Sequence, residues 1–195
     1  MVFEAADVVW LQRLLADAGV SWCIVGGWGV DALLGEETRS HKDLDVLIDR
    51  ACLQLALDVL IAAGFRPSYV WEENRPMSGD GSCAGRDSAF VMADSEGREV
   101  DVHVYESVGT RVRPLWNTDH YLASGDLAAV GVIAGVTVRC MTSQKQLETH
   151  RGYDLPEAQK GDVSYLEALL RDERSATADP NACRRGAADG RHGSA

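Results

Sequence analysis

Two carboxylates on one apolar strand, preceded by a pair of glycines, constrain this chain more than any other feature. The segment DLDVLID, residues 43–49, alternates acidic and apolar side chains, which is typical of a β-strand. Asp43 and Asp45 therefore share one face of the strand, and Leu44 and Val46 point to the other. Two like charges at this spacing repel each other unless a cation or a proton lies between them. The segment thus predicts a site for a cation or a shared proton.

The glycine pair, Gly26 and Gly27, separates a predicted buried strand, VSWCIV, from a predicted short helix that ends at Gly35. Glycines at such a turn let the backbone approach a ligand, and the free N–H groups of a helix N-terminus favour phosphate oxygens. A tight structural turn would use the same residues. The pair by itself is therefore a weak indication of phosphate binding.

A third acid, Asp101, lies between valines in the predicted strand EVDVHVY, with His103 on the same face. Three acids on two apolar strands behind a glycine turn favour a two-metal nucleotidyl transfer, since Mg²⁺ prefers hard oxygen ligands. Asp43 and Asp45 are expected to hold the metals that grip the triphosphate. Asp101 is expected to share the inner metal and to accept a proton from the attacking hydroxyl. His103 either orients Asp101, binds ligand or is structural.

The remaining pattern predicts an α+β fold, a mixed β-sheet flanked by helices, with two helices closing the chain. Amphipathic helices are predicted to end at Gly19 and Gly64, and antiparallel strands to follow a loop over Glu72–Gly85. We expect one domain over residues 1–174 and a disordered tail over 175–195, because the tail is polar and lacks periodicity.

Charge and composition limit the partners. A formal net charge of −11 would repel a nucleic-acid backbone, so nucleic acid is not an expected partner. The acidity either attracts a cationic small molecule or only keeps the protein soluble. Five scattered cysteines without metal-ligand spacing indicate a reduced, cytoplasmic protein. There is neither an apolar run long enough to span a bilayer nor a signal-peptide pattern, so no membrane partner is expected.

Four motifs carry a family resemblance: GGWGVDALLG, TRSHKDLDV, VDVH and, late in the chain, HRGYDL. Together they resemble the small antibiotic nucleotidyltransferases of the DNA polymerase beta-like superfamily, above all the lincosamide nucleotidyltransferases and the aminoglycoside 2″-adenylyltransferases. The resemblance runs from Leu11 to about Leu170. It implies the nucleotidyltransferase fold and an enzyme that transfers AMP from ATP to a hydroxyl of a small antibiotic, releasing pyrophosphate. It also implies two Mg²⁺ ions and a homodimer that completes the antibiotic pocket at a subunit contact.

Two further groups of residues are expected at the site. Cationic side chains before the metal strand would neutralise triphosphate charge, although a solvated polar loop has the same composition. The expected nucleotide-binding residues are Gly26, Gly27, Trp28, Arg39, His41 and Lys42, and the expected substrate-binding residues are Trp71, Arg86, His103, His150 and Tyr153. The tryptophans are also typical of a core, and His150 and Tyr153 of a helix pinned to the sheet.

Two other functions remain open from the sequence. One is an antitoxin-type or signalling nucleotidyltransferase that modifies a protein or tRNA, which the acidic body and the lack of a basic stripe disfavour. The other is a catalytically inactive module that only holds nucleotide, which the intact set of three aspartates disfavours.

Overall fold

The structure is a computed structural model, and it describes residues 2–70, 75–76, 89–116, 121–151 and 154–178. Within these ranges it contains five α-helices and ten strands. In chain order they are α1 (Ala5–Asp17), β1 (Trp22–Ile24), α2 (Gly26–Leu34), β2 (Asp43–Asp49), α3 (Leu53–Ala62), β3 (Arg66–Val70), β4 (Arg75–Pro76), β5 (Ala89–Ala93), β6 (Glu99–Val108), β7 (Arg111–Pro114), β8 (Leu122–Ala123), β9 (Ala129–Ile133), β10 (Val136–Cys140), α4 (Ser143–His150) and α5 (Lys160–Ala178).

The described strands form one mixed sheet in the order β4-β3-β5-β6-β2-β1-β10-β9, with β7 paired to β6 and β8 to β7. Strand β2 is parallel to β6, and β1 is parallel to β10, whereas the other neighbours are antiparallel. The predicted α+β class and mixed sheet are therefore confirmed. The parallel pair β2–β6 places two of the predicted acidic strands side by side.

The apolar face of β2 forms the core, as the alternation predicts. Leu44, Val46 and Ile48 are fully or almost fully buried, in one cluster with side chains of α1 and α3 such as Leu11 and Leu60. A second apolar cluster joins α2, α4 and α5 through Val30, Leu147, Leu166 and Leu170. The two closing helices are thus packed onto the helix that follows the glycine pair.

Three boundaries differ from the prediction. Helix α2 begins at Gly26, so the glycine pair forms its first two residues instead of a turn before it. The predicted loop over 72–85 contains strand β4 at Arg75–Pro76, and the rest of that segment lies outside the described residues. Helix α5 continues to Ala178, past the predicted helix end at Glu173, and no glycine or proline interrupts residues 174–178.

Three predicted site residues, Trp71, Arg86 and Tyr153, lie outside the described residues, as does the tail after 178. Among the described helices, none combines the length and the apolarity that crossing a membrane requires.

Candidate active site

The register between β2 and β6 gathers the predicted acids on one face of the sheet. Asp45 lies directly beside Asp101, and Asp43 lies beside Glu99. Two residues further along β6, His103 lies beside Leu47 of β2. Nε2 of His103 is 3.5 Å from Oδ1 of Asp101. One ligand atom each from Asp45, Asp101 and His103 lies within 4.8 Å of the others. This spacing allows the three side chains to share one metal ion.

The acidic cluster is poorly compensated by the protein's own cations. Burial, with the charges of Asp101 and Asp43, raises the pKa of Asp45 from 3.8 to about 7. Burial and the charge of Asp101 likewise raise the pKa of Asp43. Burial alone would lower the pKa of His103, but its hydrogen bond to Asp101 and the nearby carboxylates raise it overall. Oxygen donors under mutual repulsion fit a divalent cation, which would remove the repulsion.

The glycine pair makes room for side chains of the acidic strand and of the segment before it. Gly26 has a φ of +61°, and a β-carbon there would lie 2.1 Å from Oδ2 of Asp45. A β-carbon on Gly27 would lie 2.4 Å from an Nη of Arg39 and 2.5 Å from Nδ1 of His41. Both glycines are therefore required by close packing at the site. The N-terminal end of α2, where phosphate binding was predicted, lies against the acids.

Arg39 is held in place by Asp162, an acid 123 residues further along the chain. Its Nε donates to Oδ1 of Asp162 at 3.2 Å and its Nη2 donates to Oδ2 at 2.8 Å. Asp162 belongs to the first turn of α5 and is almost completely buried. Burial alone would lower the pKa of Arg39, but the hydrogen bonds and charge of Asp162 raise it by more. The pKa of Arg39 is therefore above its ordinary value, and Arg39 stays a cation.

His41 is oriented by a second buried acid. Its Nε2 donates to Oδ2 of Asp31 at 2.5 Å, while Oδ1 of Asp31 accepts from the backbone N–H and hydroxyl of Thr38. Nδ1 of His41 is thereby turned toward Gly27. Trp28 packs beneath the imidazole with ring centroids 4.4 Å apart and is 1% exposed. Trp28 is thus a core residue that supports His41, and it does not line the cavity.

A cavity of about 580 Å³ opens in front of these groups. Most of the described residues that the sequence predicted for the site line it, including Lys42, which is exposed and paired with Glu99 at 3.3 Å. Asp101 adjoins this wall from β6, beside Asp45. The predicted residues in the wall are Gly26, Gly27, Arg39, His41, Lys42, Asp43, Asp45, His103 and His150.

The structure adds residues that sequence reasoning missed. Gln146 of α4 donates from Nε2 to the Gly26 carbonyl at 3.3 Å, and a β-carbon on Gly29 would lie 2.2 Å from that Nε2. Gln146 is four residues before His150, a spacing that places both on one helix face and was a usable signal. No spacing or motif in the sequence indicated that Asp31 or Asp162 would lie at the site. Leu47, Trp116 and Met141 give the cavity an apolar part.

His150 is tied to the closing helices. Its Nδ1 donates to the Gln146 carbonyl at 2.8 Å, and its Nε2 lies 3.8 Å from Oδ2 of Asp162. His150 is 5% exposed. His150 thus faces α5 and borders the cavity, and its role in positioning the nucleotide stays a prediction.

Comparison with known proteins agrees with this architecture. The chain is 23% identical over 167 residues to a lincosamide resistance protein of Staphylococcus haemolyticus, covering 84% of this chain and 94% of that protein. Its fold matches that of the lincosamide antibiotic adenylyltransferase LnuA with lincomycin bound, with a TM-score of 0.70, 21% identity and coverage of 87% of this chain and 99% of that one. It also matches ANT(2″)-Ia in complex with adenylyl-2″-tobramycin, with a TM-score of 0.60 and 17% identity. The match covers 89% of this chain and 98% of that one.

The family model of aminoglycoside-2″-adenylyltransferases matches residues 7–166. That range contains the glycine pair, the three aspartates and both residues that fasten the closing helices to the site, Gln146 and Asp162. The resemblance predicted from the four sequence motifs is thereby confirmed. This chain belongs to the aminoglycoside-2″-adenylyltransferase family of nucleotidyltransferases.

Proposed function

We propose that this chain is an Mg²⁺-dependent adenylyltransferase that transfers AMP from ATP to a hydroxyl group of a small antibiotic, releasing pyrophosphate. The observation that carries the proposal is the register of Asp45 beside Asp101, with Asp43 on the same face and the N-terminus of α2 against them. Family membership supports the reaction class.

Asp43, Asp45 and Asp101 would hold two Mg²⁺ ions. The fit rests on the donor set, since all three offer carboxylate oxygens, and burial and neighbouring carboxylates raise the pKa values of Asp43 and Asp45 by more than the nearby cations lower them. When bound, Mg²⁺ would neutralise charge on the triphosphate and on the departing pyrophosphate. His103 lies close enough to Asp45 and Asp101 to add a nitrogen ligand or to orient Asp101.

The phosphates would lie along the wall that contains Gly27, Arg39 and His41. Arg39 supplies a fixed positive charge, and backbone N–H groups at the start of α2 supply donors. Lys42 stands at the more exposed side of the same wall and would contribute a weaker, screened attraction. These contacts would fix the α-phosphorus in front of the acidic strands.

Asp101 would act as the base. The acceptor hydroxyl loses its proton to the Asp101 carboxylate, its oxygen forms a bond to the α-phosphorus, and the bond from that phosphorus to the pyrophosphate oxygen breaks. Alignment of the three atoms, which the rigid β2–β6 pair would provide, supplies much of the acceleration.

The acceptor is proposed to be a lincosamide or an aminoglycoside, probed in that order. A lincosamide resistance protein and solved adenylyltransferases of both antibiotic classes are among the proteins this chain resembles. The apolar part of the cavity, with Leu47, Trp116 and Met141, would accept a carbon skeleton, and the acidic face would attract an amine. Trp71, Arg86 and Tyr153 remain predicted substrate contacts, and a homodimer that completes the pocket remains a prediction from the resemblance.

The cytoplasm is the proposed location. Among the described cysteines, Cys23, Cys52 and Cys140 are free thiols, which suits a reducing compartment.

One assay tests the proposal. Purified protein is incubated with Mg²⁺, each of the four NTPs and a panel of lincosamides and aminoglycosides, and the products are read by mass spectrometry and by pyrophosphate release. We expect an adduct of AMP on one antibiotic class, dependent on Mg²⁺. Transfer to protein or tRNA alone would instead support the antitoxin-type function, and nucleotide binding without any pyrophosphate release would support an inactive binding module.

A further inference from the structure

The bond between Arg39 and Asp162 joins residues 123 positions apart in the chain. Asp162 uses both carboxylate oxygens, one for Nε and one for Nη2 of Arg39, so the guanidinium is held along one edge. The Asp162 side chain is 2% exposed and that of Arg39 is 22% exposed. The acid therefore stands behind the guanidinium, and only the guanidinium reaches the cavity.

This geometry leaves a defined part of Arg39 for a ligand. A guanidinium carries five N–H groups. Asp162 accepts two of them and the Ser40 carbonyl accepts a third, from Nη1 at 3.4 Å. The N–H groups outside these described bonds are on the two Nη atoms. Because a β-carbon on Gly27 would lie 2.4 Å from Nη2, this edge is at the start of α2, where the phosphates are proposed to bind.

Asp162 is itself fixed by its surroundings. It lies in the first turn of α5, where the positive end of the helix favours an acid. Nε2 of His150 lies 3.8 Å from its Oδ2. Asp162 offsets part of the charge of Arg39. Asp162 would therefore favour phosphate binding by orienting the guanidinium and not by adding positive potential. A long side chain without such a partner would lose rotamer entropy on binding a phosphate.

We propose that Asp162 is a positioning residue for nucleotide binding: it holds Arg39 in the conformation in which the outer edge of the guanidinium contacts the triphosphate. The inference rests on the proposed function, since it requires that this cavity takes a nucleoside triphosphate. It assigns to the first turn of α5 a role in the reaction that no motif in the sequence indicates.

The test compares Asp162→Asn, Arg39→Gln and the double variant with the unaltered protein. Binding of the non-transferable analogue α,β-methylene-ATP with Mg²⁺ is measured by calorimetry, and the KM values for ATP and antibiotic are measured separately. We expect Asp162→Asn to weaken analogue binding about tenfold and to raise the KM for ATP, with kcat and the antibiotic KM little changed. We expect the double variant to bind about as weakly as Arg39→Gln alone, because Asp162 acts through Arg39.

Asp94→Asn is the matched control. Asp94 also accepts from an arginine, Nε of Arg98 at 2.7 Å, but at the turn between β5 and β6 and outside the cavity wall. It should weaken an ion pair, which Arg98 partly keeps through Asp7, and leave analogue binding unchanged. A purely structural role for Asp162 would leave analogue binding in folded Asp162→Asn as unaffected as in Asp94→Asn.

Two results would overturn the role of Asp162. Unchanged analogue binding in Asp162→Asn would show that orientation does not matter, and tighter binding would show that Asp162 competes with the nucleotide for Arg39. If Asp162→Asn does not fold, Arg39→Lys replaces it, since lysine keeps the charge but cannot form the bidentate bond. Arg39→Lys with unchanged analogue binding would also contradict the proposal. Failure of the unaltered protein to bind the analogue would instead contradict the proposed function itself.

Discussion

The backbone of Gly26 lies against the carboxylate of Asp45, so closely that a β-carbon at Gly26 would lie 2.1 Å from Oδ2 of Asp45. The glycine pair that begins α2 and the strand that carries the acids are therefore one packed unit. Val25, just before the pair, donates its N–H to the Asp45 carbonyl at 3.0 Å, which fixes the same approach.

We expect Gly26→Ala to lower transfer about a hundredfold or more, because the new methyl group must displace the Asp45 carboxylate from its place beside Asp101. Gly35→Ala is the control. Gly35 also has a left-handed backbone, with φ of +77°, but a β-carbon there meets nothing within 4 Å. Gly35→Ala should cost about 1–2 kcal/mol of stability and keep most of its activity. Equal activity in the two variants, measured by pyrophosphate release, would show that the contact with Asp45 is unimportant.

Asp43→Asn and Asp45→Asn should each reduce transfer by more than about a hundredfold and leave the fold intact, because each removes a proposed metal ligand and preserves shape. Circular dichroism checks the fold, and Mn²⁺ binding followed by electron paramagnetic resonance checks the metal. Near-normal activity or unchanged Mn²⁺ affinity in either variant would contradict the two-metal assignment.

Asp101→Asn should lower kcat far more than it weakens nucleotide binding, because its proposed contact with the attacking hydroxyl strengthens in the transition state. The comparison requires kcat and the affinity for α,β-methylene-ATP on the same preparation. Equal losses in the two quantities would identify Asp101 as a ligand on the triphosphate side without a role as base.

The metal-free protein should lose stability as the pH rises toward neutrality, relative to Asp45→Asn. The pKa of Asp45 is raised from 3.8 to about 7, so between these values the folded protein keeps a proton that the unfolded chain releases. This contribution is fully present below about pH 4 and is lost as the pH passes through about 7. Asp43, whose pKa is also raised, acts in the same direction.

Urea unfolding in EDTA at about pH 5 and about pH 8 measures this effect. The stability of the unaltered protein minus that of Asp45→Asn should be smaller at the higher pH. Added Mg²⁺ should restore stability to the unaltered protein at the higher pH, since it binds the ionised carboxylates. A stability difference that does not change with pH would contradict the shifted pKa of Asp45.

The apparent affinity for the antibiotic should weaken as salt is raised, because an acidic protein attracts a cationic acceptor through charges that salt screens. Titrations with a lincosamide and an aminoglycoside between about 0.05 and about 0.5 M NaCl measure the effect. Transfer only to neutral or anionic acceptors, without salt dependence, would contradict the electrostatic attraction.

The homodimer implied by the family resemblance is tested by light scattering. A monomer that is fully active at nanomolar concentration would contradict a pocket shared between subunits.

Local pattern was sufficient for the acidic strands. Alternation places Asp43 and Asp45 on one face in any β-strand, because successive side chains point in opposite directions. The same rule places Asp101 and His103 together. It cannot say which strands are neighbours, and only the parallel pairing of β2 with β6 puts Asp45 beside Asp101.

The sequence by itself determined most of the helices and strands, the mixed α+β class and the acidic face, since these depend on periodicity, glycine placement and nearest neighbours along the chain. The short strands β4, β7 and β8 were not predicted. Only the tertiary structure decided what surrounds that face. In it, Trp28 packs beneath His41, Arg39 donates to Asp162, and Gln146 donates to the Gly26 carbonyl. These contacts join residues as much as 123 positions apart, and they depend on how α4 and α5 pack onto α2, which no local pattern encodes.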